Sequence, residues 1–98
     1  MADAPLQQLG VPPDAQELGG QEILRAFIVD GGLSVSLIRG FEKPETWGLL
    51  LMDLARHASR IYAMDDGMRE AEAFERIHRM FEAERLRPTD LGTTSTTN

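Results

Sequence analysis

Two histidines and the acids beside them are the residues of this 98-residue chain best placed, by type and spacing, for chemistry. Asp53 and His57 stand four positions apart, so on one helix they project from the same face and can present two ligands to one metal ion. His78 has Glu75 and Glu82 within a turn. Imidazole is the side chain that titrates near neutrality without perturbation, which widens the options to proton transfer. If their two helices fold back antiparallel near Asp66, a rise of about 1.5 Å per residue sets His57 and His78 at similar heights. A small metal- or ligand-binding protein using Asp53, His57 and His78 is therefore one reading of the chain. Against it, no HExxH or comparable ligand signature is present, and histidines at the border of an apolar stripe commonly cover the core edge.

Other chemistries find less support. Ser34, Ser36 and Ser59 have no GxSxG elbow and no local base, and read as solvent-facing hydroxyls. Gly19-Gly20 and Gly31-Gly32 lack the rest of any phosphate loop and read as turns. With no cysteine there is neither a thiolate nucleophile nor a cysteine metal site. Arg39, Lys43, Arg56 and Arg60 make at most a modest basic strip in a chain of formal charge −6. Nucleic-acid binding asks for a clustered patch with stacking aromatics, whereas Trp47 and Tyr62 fall on the core side of their helix. The chain reads as no enzyme, with no cofactor and no nucleic-acid partner.

The elements that must position these side chains begin with two β-type apolar stretches, residues 23–29 and 33–38, joined through Asp30-Gly31-Gly32. In the second, Leu33, Val35 and Leu37 alternate with Ser34 and Ser36, the period of a half-buried strand. The first is apolar on both sides: Ile23, Phe27 and Val29 point one way, Leu24, Ala26 and Ile28 the other, with Arg25 the interior charge. A two-residue loop puts Leu24, Ala26 and Ile28 beside Leu33, Val35 and Leu37. A three-residue loop shifts the register by one and brings Phe27 and Val29 to the core side. Either way about three apolar side chains remain on the far face.

Pro44 and Glu45 mark a helix start. Trp47, Leu50, Leu51, Leu54, Ala58, Ile61 and Tyr62 then form one stripe at helical spacing, with Arg56, Ser59 and Arg60 opposite. Leu49 and Met52 lie off the stripe, as a second apolar patch. Asp65-Asp66-Gly67 ends the helix, with Gly67 closing it and either aspartate available to cap the next. A second helix is expected over about 68–86, apolar through Ala73, Phe74, Ile77, Met80 and Phe81. Its other face pairs Glu72 with Arg76 and Glu75 with Arg79. Residues 12–18 can make one further helical turn.

The order strand, strand, helix, helix predicts an α+β fold, a hairpin with two antiparallel helices packed on one sheet face, and an extra N-terminal strand or helical turn. Residues 1–20 read as a flexible segment, 21–88 as a single domain and 89–98 as a disordered tail. A third strand from residues 6–11, or a partner's hairpin, would complete the sheet, since two strands alone are marginal in water. The first residues lack a secretory signal, and the longest apolar run, residues 49–52, is too short to cross a bilayer. A cytoplasmic protein without membrane partners is expected. The segment 17–63, above all Glu17-Leu-Gly-Gly-Gln-Glu-Ile-Leu-Arg-Ala-Phe and Pro44-Glu-Thr-Trp-Gly-Leu-Leu-Leu, resembles a family of short bacterial proteins known only as a domain of unknown function. The resemblance rests on overall pattern. It implies a stand-alone cytoplasmic protein and brings no activity or catalytic residue with it.

What remains is surplus apolar surface. The hairpin carries more than one helical layer covers, and contiguous exposed apolar patches mark contact sites. The sequence thus points to a non-catalytic interaction or regulatory module, homodimeric, acting through the sheet's free face or edge and the outer start of the first long helix. Edge pairing of two hairpins into a four-stranded sheet is the favoured form. Arg25, Phe27, Leu49, Met52 and Arg56 are its expected interface residues.

Overall fold

The Asp30-Gly31 turn settles the hairpin register. In the computed structural model, which describes residues 5–89, strands β1 (Leu24–Val29) and β2 (Gly32–Leu37) run antiparallel. Leu24 stands opposite Leu37, and Val29 opposite Gly32. Two residues are left for the loop. Asp30 has φ 50° and Gly31 φ 78°, the two positive values that a type I′ turn requires. Aspartate and glycine are among the few residues that accept this backbone, and the turn's twist matches that of the flanking strands. The two-residue alternative is therefore the one adopted. Ahead of the hairpin lies α1 (Pro13–Leu18), opened by its proline and Asp14 and ended at Gly19, φ 80°. Among the described residues the sheet has two strands, and residues 6–11 form neither strand nor helix.

The helical pair is α2 (Pro44–Asp66) and α3 (Glu70–Leu86). Pro44 sits in the first turn, where its missing N–H costs nothing. Gly67, at φ 71°, ends α2 in the left-handed conformation that a helix C-terminus favours. The expected aspartate cap on the next helix does not form. Asp65 and Asp66 complete the last turn of α2, and extended Arg69 precedes α3 with no side-chain cap. Glu70 and Glu72 still suit that first turn electrostatically. At the other end Arg87 N–H donates to Ala83 O (2.9 Å), one residue before Pro88.

The helices meet through small side chains. Ser59 is fully buried and Ala73 is 3% exposed, the two buried residues among those described. Ala55, Ala63, Phe74 and Ile77 are half-buried. This corrects the expectation of a solvent-facing Ser59. Its hydroxyl donates to Ala55 O at 2.8 Å, one turn back, so the polar group is satisfied within its own helix while the small side chain admits a close neighbour. Arg56, one turn before Arg60, lays its guanidinium over the Phe74 ring at 5.0 Å. The pair therefore joins on the Ser59 side of α2. Leu51, Leu54, Ile61 and Tyr62, expected to face the core, are exposed. The intrahelical pairs Glu72–Arg76 and Glu75–Arg79 do not form. Arg60–Glu70 (3.6 Å) links α2 to α3, and Arg85–Glu82 (2.8 Å) spans three residues of α3.

The architecture is α+β in the order that the sequence predicts, a hairpin followed by two helices, with the short α1 in front. It divides into two units, one ending at Ile38 and the other starting at Arg39. The outer residues of the expected tail, 90–98, and the first four of the N-terminal segment lie outside the described residues.

Candidate functional site

In the hairpin unit, the register assigns every side chain to a face. Because opposed residues point the same way, Leu24, Ala26 and Ile28 of β1 share one face with Leu33, Val35 and Leu37 of β2. That face holds no polar side chain. Ile28 is 82% exposed, Leu33 77% and Val35 46%. The reverse face carries Arg25, Phe27 and Val29 with Ser34 and Ser36. There Phe27 is half-buried. Arg25 is tied down on three sides, its Nε and Nη2 donating to Glu22 (3.0 and 2.9 Å) and its Nη1 to Gln8 Oε1 (2.8 Å). The hydrogen bond from Arg25 holds the Glu22 carboxyl below its usual range, and the paired carboxylate raises Arg25 in turn. The more exposed apolar face is thus the one opposite the predicted Arg25 and Phe27.

In the helical unit, Leu49 is 69% exposed and Met52 is also exposed, as their place off the stripe suggested. Arg56 is engaged with Phe74. A longer surface lies on the stripe itself, through Leu51, Leu54, Ile61 and Tyr62. Trp47, at its start, is half-buried; its Nε1–H donates to Arg39 O at 2.7 Å, and its ring meets Phe41 edge-on at 5.6 Å. These contacts fix the chain as it enters α2. An open groove between the helices is lined by Tyr62, Met68, Ala73, Arg76, Ile77 and Met80. Arg76 Nη1 reaches Met68 Sδ there at 4.0 Å.

The titratable candidates are dispersed. His57 Nδ1 lies 3.4 Å from Arg60 Nη1. Asp53, His57 and His78 are all exposed. Among the described residues no group of three or more His, Asp or Glu is placed to hold a metal ion. Glu82, one turn from His78, is engaged by Arg85, whose hydrogen bond lowers its carboxyl below the usual range. Glu84 is lowered as well, by Thr89, which donates its N–H (3.0 Å) and its hydroxyl (2.8 Å) to the carboxylate.

Sequence reasoning found the apolar excess and named Arg25 and Phe27 on the first strand, whereas the more exposed apolar side chains lie on the opposite face of the ribbon. Which side meets the core is left open by the sequence, since a two-residue and a three-residue loop place opposite faces of the first strand beside the apolar positions of the second. The signal available was the turn: Asp-Gly strongly favours a two-residue loop, and that register gathers all six apolar positions. No helix among the described residues is long and apolar enough to cross a membrane.

The family described as Domain of unknown function (DUF5076) matches residues 8–89. A solved structure from the photosynthetic bacterium Rhodopseudomonas palustrus CGA009, provisionally named a pyruvate dehydrogenase, is 52% identical in sequence, with a TM-score of 0.79. The alignment covers 98% of this chain and 100% of that one. No curated protein matches.

Proposed function

We propose that this chain, a member of the family described as Domain of unknown function (DUF5076), is a non-catalytic protein-interaction module that works as a homodimer. The observation that carries the reading is the hairpin face of Leu24, Ala26, Ile28, Leu33, Val35 and Leu37, wholly apolar and led by Ile28 at 82% exposure. Apolar surface in water is costly at about 25 cal/mol per Å², and a second copy is the commonest partner that removes it. Size decides how much surface is needed. A six-residue, two-stranded face measures about 20 by 10 Å, well short of the roughly 800 Å² per partner of a stable interface. The α2 stripe from Trp47 to Tyr62, about 22 Å long, is a separate exposed apolar surface on the helical unit.

Support for the non-catalytic part comes from how the reactive side chains are engaged. The Ser59 hydroxyl bonds its own helix, Glu82 and Glu22 hold arginines, and the His57 ring contact is Arg60. None of these forms a nucleophile with its base. Light scattering on the full 10.9 kDa chain tests the reading. Twice that mass at micromolar concentration is the expected result. A monomer that persists to high micromolar concentration overturns it.

A further inference from the structure

We infer that the groove between α2 and α3 is a binding site for a small monocarboxylate with an apolar body, its carboxylate held by Arg76. This goes beyond the interaction reading and does not rest on it. Six side chains line the groove: Tyr62 of α2, Met68 of the connecting loop, and Ala73, Arg76, Ile77 and Met80 of α3. The last four recur at spacings of three and four, so they share one helix face. Ala73, 3% exposed, is the deepest of them, while Tyr62 and Met80 stand exposed. The volume is about 340 Å³, at the small end of ligand sites.

Of the six, Arg76 alone is charged, and no acid lines the groove. Other arginines of the helical pair have strong partners: Arg60 pairs with Glu70, Arg85 with Glu82, and Arg56 lies over Phe74. Arg76 has Glu72 one turn before it and Glu75 beside it, yet among the described residues it forms no ion pair. Its Nη1 instead reaches Met68 Sδ at 4.0 Å. A thioether is a weak acceptor, so the guanidinium keeps most of its donor capacity for a stronger one.

The chemistry of the lining selects the ligand. A planar guanidinium meets a carboxylate through two parallel hydrogen bonds. One positive charge matches one negative charge, whereas a phosphate dianion asks for more donors than this single arginine and the Tyr62 hydroxyl supply. A ring or branched chain on the acid would also cover Ile77, Met80 and Tyr62. The formal charge of −6 opposes anions from afar. At physiological salt that field fades over about 8 Å, so the nearby arginine governs.

NMR of methyl-labelled methionine, with phenylacetate as the probe, tests this. Met68 and Met80 line the groove and Met52 and Met64 do not, so the second pair is an internal control. Phenylacetate should move the Met68 and Met80 signals saturably at millimolar concentration and leave the other two in place. Phenylacetamide, the same shape without the charge, should bind about fivefold more weakly. Arg76→Gln should weaken phenylacetate by about the same fivefold and bring acid and amide level. Still signals from Met68 and Met80, equal movement of all four methionines, or equal binding of acid and amide overturns the site. So does phenylacetate binding that survives Arg76→Gln unchanged. Should that variant fail to fold, the comparison of acid and amide on the wild-type chain decides alone. None of these outcomes touches the homodimer, which light scattering reads separately.

Discussion

Replacing Ile28 by alanine removes three carbons from the most exposed side chain of the hairpin face, and the size of the effect follows from that exposure. At about 0.8 kcal/mol per buried carbon, those three are worth about 2.4 kcal/mol when fully withdrawn from water. Ile28 is 82% exposed in the single chain, so association can recover about 2 kcal/mol of this per copy. A two-fold interface loses it twice, about 4 kcal/mol, which raises the dissociation constant roughly a thousandfold. Within one copy the same change removes few contacts, and only the weaker strand preference of alanine counts, within about 1 kcal/mol. Sedimentation equilibrium over a concentration series gives the dissociation constant, and urea denaturation well below it gives the stability of the separated chain. The expected pattern is a large loss of affinity beside a small loss of stability. An affinity changed less than about threefold would mean that Ile28 stays wet in the assembly, and the hairpin face would cease to be the contact.

Three further outcomes follow from the helical unit. Ser59→Leu should destabilise by about 1–3 kcal/mol, because Ser59 is fully buried, while Ser59→Ala should stay within about 1 kcal/mol of wild type. Equal and negligible effects on thermal melting would place position 59 at the surface. Gly67→Ala meets no neighbouring atom within 4 Å, so its cost is the left-handed backbone alone, about 1–2 kcal/mol and a fall in Tm of roughly 5–15 °C; an unchanged Tm would contradict that geometry. The Glu84 carboxyl, lowered first by the Thr89 N–H and then by its hydroxyl, should titrate below the ordinary range in carbonyl-detected NMR. A depressed carboxylate stabilises the fold above its unfolded pKa, and the contribution is lost as pH falls through the folded one. Thr89→Val should move the midpoint part of the way back up, since the N–H donor remains; no movement would mean that the hydroxyl bond does not form in solution.

The fold order was legible because its punctuation is chemical. Asp30-Gly31 can hardly be anything but a tight turn, Pro44 opens a helix, Gly67 closes one, and Pro88 prevents continuation. The packing of the helices was not legible. Hydrophobicity alone ranks Leu51, Leu54 and Ile61 as core and Ser59 as surface, yet contact is decided by which face lets two backbones approach. Ala55, Ser59 and Ala63, each four residues from the next, form that face, and a serine that bonds its own helix behaves there as a small apolar residue. Capping misled for a related reason. Asp65 and Asp66 are good caps in isolation, but α2 continues through both before Gly67 stops it. The candidate surface was half legible. The excess of apolar side chains on the hairpin could be counted, whereas the side left open depended on a register that two loop lengths could satisfy. Arg25 illustrates the limit: its partner Glu22 is three positions away, but its bond to Gln8, seventeen positions away, has no local signature.

The two turns, Asp30-Gly31 and Gly67, each join elements adjacent in sequence, and this shapes how the protein matures. Strand partners and helix partners find each other across short loops, a search that takes microseconds. Neither step depends on concentration. Meeting the proposed second copy does, so refolding of such a dimer should split into a fast phase indifferent to dilution and a later one that slows with it. During the interval between them, newly made chains would show a greasy ribbon to their surroundings. A cell would then tolerate this protein best where its synthesis keeps the copies close together.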